Sequence, residues 1–322
     1  MSGSVNPQIS VVIPLYNKAS YISRALDSVL SQTFQDFEVI VVNDGSTDGG
    51  EKIVDGYEDS RIHIIHQKNQ GVSTARNNGV SVSRSELIAF LDADDEWDST
   101  FLYEMMVLYN KYPSCGFYGS GFRRVSSDNS EDVVTNDIGD VLIQDYFRYL
   151  CEYRTTIVSA SSLLVPKDIL TRFGGFDSTI HWGEDRDLYC RIALFCTVAY
   201  CAQPLATIYK NTENNSNNVF YGLESQFLKR VICDGNCIKN HRDYSNIISY
   251  TDSLILHLSY RYAMAGQRSN ALRYALSTKN KWHFDWIVSI IISLLPRDIC
   301  ELIFRFGTNR PFFIKLYHLV FK

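Results

Sequence analysis

Apolar runs of strand length recur along the N-terminal part of the chain, at Ile9 to Ile13, Glu38 to Val42, Ile62 to His66 and Leu87 to Leu91. The stretches between them have helical periodicity. Tyr21, Ile22, Ala25, Leu26, Val29 and Leu30 make one apolar stripe between the first two runs. Asp48 followed by Glu51 predicts a capping box that opens a helix through Val54, and Val72 to Val82 predicts a third helix. Strands alternating with helices imply an α/β fold with parallel strands and right-handed crossovers, which gathers the loops after the strands at one edge of the sheet.

Beyond Asp98 the pattern changes. It predicts a helix through Leu108, a strand over Gly116 to Val125, a polar surface loop from Ser126 to Asp140 and a strand over Thr156 to Val165. Phe173-Gly174-Gly175-Phe176-Asp177 follows, then His181-Trp182-Gly183-Glu184-Asp185-Arg186-Asp187-Leu188. Leu188, Ile192 and Phe195 fall on one helical face, so Glu184 and Asp185 occupy the first turn, where the helix dipole favours a charged carboxylate. The Asn-rich stretch Asn211 to Asn218 marks a flexible loop and a boundary, dividing the chain into residues 1–215 and a helical region, 216–322. In the latter, Leu223 to Ile238, Asn246 to Met264 and Ser269 to Leu276 read as helices, the last two an antiparallel hairpin.

The 322 residues, 45% of them hydrophobic, suffice for two domains with sizeable cores. A net charge of −5 disfavours a nucleic-acid partner. Eight cysteines without a CxxC pair point to reduced thiols, and Met1 to Gln8 lacks the features of a secretory signal, so a cytoplasmic enzyme is expected.

Two acidic clusters carry the chemistry: Asn43-Asp44-Gly45-Ser46-Thr47-Asp48 and Asp92-Ala93-Asp94-Asp95, each directly after a buried strand. Carboxylates gathered at one sheet edge repel one another unless a cation or hydrogen-bonding ligand sits among them, which suggests a divalent metal and a phosphorylated substrate. Pro14, Tyr16 and Asn17 with Asp44 could receive a nucleoside, Asp44 accepting a ring N–H or ribose hydroxyl; they could equally be turn residues. Asp185 is the candidate general base, with N-terminal capping as its plainer role. Arg76 could balance the aspartates or a phosphate, or be an exposed helix residue. His181 and Trp182, beside Glu184, could line an acceptor pocket or simply pack.

Taken in order, Ser10 to Asn17, Ala25 to Phe34, Glu38 to Asp48, Gly71 to Gly79, Ile88 to Trp97, Phe173 to Asp177 and Gly183 to Leu188 resemble the family 2 glycosyltransferases of the GT-A fold, over roughly residues 8 to 210. The resemblance implies a Rossmann-like mixed sheet flanked by helices, here with a C-terminal helical appendage. It implies transfer of a sugar from a nucleotide diphosphate donor, UDP by first expectation, to an acceptor hydroxyl with inversion, in polysaccharide, O-antigen or capsule assembly. By position Asp44, Pro14, Tyr16 and Arg76 match the nucleotide side, Asp92 the ribose-side carboxylate, Asp94 the ligand of Mn2+ or Mg2+ and Asp185 the base. A glycan or lipid-linked glycan would be the acceptor.

The chain lacks the Gln-x-x-Arg-Trp segment and the membrane helices of processive synthases, so a single addition is expected. Trp286 to Leu295 is too short to span a bilayer, which takes about 20 residues. With the basic, aromatic stretch after it, residues 283–322 could lie on the inner face of the plasma membrane or form a core helix. Other readings fit less well. A haloacid dehalogenase-like phosphatase would follow its second Asp with x-Thr or x-Val, and a dinucleotide oxidoreductase would carry G-x-G-x-x-G after the first strand. A non-catalytic sugar-nucleotide-binding or scaffold protein would not need every carboxylate present here.

Overall fold

The computed structural model describes residues 6–126, 128–135, 139–153, 157–180, 183–210, 227, 231, 236–239, 241–279, 289–290 and 293–294. The chain divides into two compact units, Met1–Val219 with Glu224–Phe227, and Phe220–Leu223 with Leu228–Lys322. In the first, β1 (Ile9–Leu15), β2 (Phe37–Asn43), β3 (Ile62–His66) and β4 (Leu87–Phe90) pair in parallel in the order β3-β2-β1-β4. β1 and β2 are buried on both faces along almost their whole length, so they read as continuous apolar runs rather than alternating ones.

The crossovers are α1 (Ile22–Leu30), α2 (Gly50–Asp55) and α3 (Val72–Val82). α1 buries Ile22, Ala25, Leu26 and Val29, the stripe expected of it. α3 comes so close to the sheet that a Cβ on Gly79 would lie 2.4 Å from Val12 Cγ1. Glycine therefore sets how closely this part of α3 packs on β1 and β2. α2 begins without the expected capping box, because its N-cap is Gly49 in the left-handed region (φ 84°). The Asp48 carboxylate instead accepts from Gly50 N (3.0 Å) and Ala19 N (2.7 Å), fastening the loop after β2 to the loop after β1.

Past β4 the sheet becomes mixed and, among the described residues, 10-stranded. β5 (Glu96–Trp97) leads to α4 (Phe101–Lys111) and β6 (Tyr118–Val125). The expected polar loop contains β7 (Glu131–Val134), an edge strand whose outward acidic residues hide it from a hydrophobicity pattern but whose backbone pairs with β6. β8 (Val141–Ile143) and α5 (Tyr146–Tyr153) follow. The strand expected over Thr156 to Val165 is interrupted: Ala160–Ser162 form a 3-10 turn closed by Ser159 and Ser162 side chains, and among the described residues of that stretch only β9 (Leu163–Pro166) is strand, antiparallel to β4 and β6. α6 (Lys167–Phe173), α7 (Glu184–Ala193) and β10 (Val198–Tyr209) complete the unit. α7 stops at Ala193, leaving Phe195 off its face, 60% exposed and stacked on Phe173. β10 runs parallel to β6 through two register shifts and pairs with β5 at its far end.

In the second unit, helices Tyr244–Met264 and Arg268–Ser277 flank Gly266 (φ 76°) as a hairpin. Ser259 Oγ donates to Ala271 O (2.8 Å), and Tyr262 stacks on Tyr274 at 5.2 Å. Asn211 to Asn218, most of Leu223 to Ile238 and all but four residues of 283–322 lie outside the described residues. Among the described residues no helix is long and apolar enough to cross a membrane.

Candidate functional site

The acidic segment after β4 and the first turn of α7 meet through a buried cation. Arg76, on α3 and 2% exposed, donates from Nη2 to Asp92 Oδ1 (2.6 Å) and from Nη1 to Glu184 Oε1 (2.8 Å). Burial works against the guanidinium's charge, but the carboxylates of Asp92 and Glu184 outweigh it and raise its pKa. The Phe176 ring lies 5.0 Å from the guanidinium. Arg76 is thus no exposed helix residue: it ties the segment after β4 to the first turn of α7. Asn77 makes a second tie, exchanging hydrogen bonds with Phe176 N (2.9 Å) and O (2.7 Å). The adjacent Gly175 has φ 62° and no room for a Cβ, which would fall 2.5 Å from Asn77 Oδ1.

On the opposite flank, the loops after β1 and β2 are laced together. Asn17 adopts φ 51°, and its Oδ1 accepts from Thr47 N (2.8 Å) while its own N–H donates to Ser46 Oγ (3.1 Å). Asn17 therefore shapes the loop. Tyr16 is 40% exposed and Pro14 partly buried. Asp44 is buried, and its carboxylate accepts from Gln67 Nε2 (2.7 Å), Gln70 N (2.8 Å) and Gly71 N (2.9 Å). A carboxylate accepts about four hydrogen bonds, so Asp44 orders the loop leading into α3 and keeps little acceptor capacity over.

The three aspartates after β4 are not equivalent. Asp92 faces Arg76 and is the most exposed side chain of that ion pair, at 32%. Asp94 pairs with Lys18 Nζ at 2.7 Å, and its backbone carbonyl accepts from Arg24 Nη2. Arg24 lies 3.6 Å from the centre of the Tyr209 ring, whose hydroxyl donates to Glu96 (2.7 Å). Asp95 is buried, accepting from Ser161 Oγ and from Tyr209 N (3.1 Å). Burial, then the charges of Asp94 and Asp92, push its carboxyl well above the usual range. Ser161 also accepts from Asp92 N (3.1 Å), and its carbonyl accepts from Trp97 Nε1. Lys18, Arg24, Gln67 and Ser161 are supporting residues that sequence reasoning does not single out; Lys18 alone had a signal, standing directly after the motif ending in Asn17.

Asp185 sits partly buried in the first turn of α7, whose N-cap is Gly183 (φ 79°) with no side-chain cap bond. Asp185 is therefore not the N-cap residue; among the bonds described its Oδ1 accepts from the first-turn N–H of the neighbouring Arg186 (2.6 Å). Burial raises the pKa of Glu184, with Arg76 opposing and Asp185 reinforcing the shift. Asp187 faces inward, paired with Arg191 at 2.6 Å, and Arg191 also binds the carbonyls of Phe173 and Gly175. Among the described residues the buried Tyr189 hydroxyl has no hydrogen-bond partner; burial and then the charge of Asp185 push its pKa well above the ordinary value. An orphaned buried hydroxyl costs about 1–3 kcal/mol. Tyr189→Phe is expected to hold or raise the thermal midpoint, and a clear drop in a melting curve would show that the hydroxyl has a partner in solution. His181 and Trp182 lie outside the described residues.

Among the described residues no three His, Cys, Asp or Glu side chains converge as a metal-holding group. Mn2+ and Mg2+ need no such cage: one or two carboxylates, phosphate oxygens and water suffice. Asp94, a hard oxygen donor 17% exposed at the sheet edge, fits a site of that kind, with Lys18 as its present counter-charge.

Residues 10–162 match the model of glycosyl transferase family 2. A glycosyltransferase of Rickettsia bellii, otherwise uncharacterized, is 48% identical over 274 residues, 84% of this chain and 35% of that protein. EpsJ of Bacillus subtilis, an uncharacterized glycosyltransferase, is 38% identical over 124 residues, 38% of this chain and 36% of its own. TuaG of the same organism, named for teichuronic acid biosynthesis, is 36% identical over 127 residues, 38% of this chain and 50% of its own. The chain thus spans about a third of the length of the first two relatives. Among solved structures, S. aureus TarS 1-349 in complex with UDP-GlcNAc superposes with a TM-score of 0.63 at 17% identity, covering 89% of this chain and 82% of that one. The fold is that of the GT-A glycosyltransferases.

Proposed function

We propose that this chain, whose residues 10–162 form a glycosyl transferase family 2 domain, moves a sugar from a nucleotide diphosphate donor to an acceptor hydroxyl with inversion. The observation that carries the reading is the Arg76 clamp, which holds Asp92 at 2.6 Å and Glu184 at 2.8 Å and so brings the donor-side acids and the base-bearing turn to one sheet edge. The nucleoside would lie over Tyr16 and Pro14, meeting what acceptor capacity Asp44 retains, with Asp92 toward the ribose and Arg76 toward the phosphates. Mn2+ or Mg2+ held by Asp94 would neutralise charge on the diphosphate.

The acceptor oxygen would attack the anomeric carbon as the bond to the diphosphate breaks, and Asp185 would take the hydroxyl proton; one displacement inverts the configuration. Glu184, paired to Arg76, serves poorly as that base. UDP-GlcNAc bound by TarS and the pathway for which TuaG is named favour a UDP-sugar and polysaccharide assembly on a glycan or lipid-linked glycan. With such an acceptor, residues 283–322 would contact the cytoplasmic membrane surface, and 216–322 would be the appendage to a transferase domain over 1–215.

A panel of UDP, GDP and dTDP sugars with Mn2+ tests this. A UDP-sugar should raise the melting temperature and be slowly hydrolysed in a metal-dependent way. Saturable binding without nucleotide release would leave a binding module instead.

A further inference from the structure

The Asp94 carboxylate already has a cation. Lys18 Nζ lies 2.7 Å from Asp94 Oδ2, and the two side chains are only 13% and 17% exposed, so water screens the pair weakly. The lysine is aimed by its surroundings. Asn17 before it is fixed at φ 51° by Ser46 and Thr47, and the Tyr21 ring lies 5.7 Å from the ammonium. Arg24 meanwhile holds the Asp94 carbonyl and leans on the same Tyr21 ring. The backbone of Asp94 is therefore gripped by a rigid guanidinium, its carboxylate by an ammonium on a flexible four-carbon stem.

Building on the transferase reading, we propose that Lys18 is a resident counter-ion that keeps free divalent cation off Asp94 and passes to the donor's diphosphate when metal and nucleotide arrive together. A lone Mn2+ must displace an ammonium at the same carboxylate, against two positive side chains. A metal-bound diphosphate brings its own negative charge, which gives Lys18 a new partner and frees Asp94. Lys18 is in this sense a positioning and selectivity residue: it makes metal binding conditional on donor.

The signature is a pair of opposite shifts. In Lys18→Met, Mn2+ alone, followed by the loss of its free-ion electron paramagnetic resonance signal, should bind about tenfold more tightly than in the parent, while UDP in saturating Mn2+, measured by calorimetry, should bind about tenfold more weakly. Lys18→Arg keeps the charge and should keep Mn2+ weak, which guards against a folding defect in the first variant; Asp94→Asn should abolish the tightening. Mn2+ affinity that is unchanged or lower in a folded Lys18→Met, or two shifts of the same sign, would overturn the proposal. If the parent protein binds no nucleotide with any metal, the transferase reading fails while the Mn2+ comparison still decides whether Lys18 guards Asp94.

Discussion

Asp185→Asn is expected to lower turnover by about 10²-fold or more while leaving nucleotide binding intact. The substitution is nearly isosteric, and an amide oxygen can still accept from Arg186 N, the bond Asp185 Oδ1 makes at 2.6 Å, so the first turn of α7 should keep its shape. Only the ability to accept a proton is removed. Loss of kcat with an unaltered calorimetric affinity for UDP would assign the base; near-normal turnover would sink that assignment. Glu184→Gln separates the two neighbours, because Glu184 is engaged by Arg76 and its substitution should disturb stability and donor affinity before the chemical step.

Arg76→Met should cost about 3 kcal/mol of unfolding free energy, the lower end of what breaking a buried ion pair costs, because Asp92 is 32% exposed and water will take up part of its charge. Methionine fills the volume but leaves Glu184, whose side chain is 12% exposed, without its cation. Arg76→Lys should recover only part of the loss, since one ammonium cannot present a fork to two carboxylates. Urea denaturation with an unchanged m value is the measurement, and a loss below about 1 kcal/mol would mean the acids do not depend on Arg76.

β1, β2 and β4 are legible because they are buried on both faces, whereas β3 is only partly buried; β3 and α3 nevertheless fall on the residues their patterns predict. What eludes the pattern is held by groups other than apolar side chains. β7 exists through backbone pairing with β6, Ala160–Ser162 through serine hydroxyls, and the start of α2 through the left-handed conformation of Gly49. The burial of Arg76 is hidden for the same reason. It shares the inner side of α3 with Ser73, Ala75 and Gly79, small residues that give almost no hydrophobic signal yet leave room for a guanidinium. The aspartate cluster is legible as carboxylates gathered after a buried strand but not in its parts: Asp95, an anchor held by Ser161 and Tyr209, reads in the chain like its neighbours.

The ties from α3 bear on how such a protein can be recombined. The family match ends at residue 162, before Gly175, Glu184 and Asp185, whereas Arg76 and Asn77 lie inside it. A chimera joined at that seam would inherit Arg76 from one parent and its second carboxylate from another, and Asn77 apart from the Gly175-Phe176 backbone it was fitted to. The heritable unit is therefore larger than the matched stretch: residues 173–187 travel with α3, and a graft that respects this linkage should fold where one cut at the seam does not.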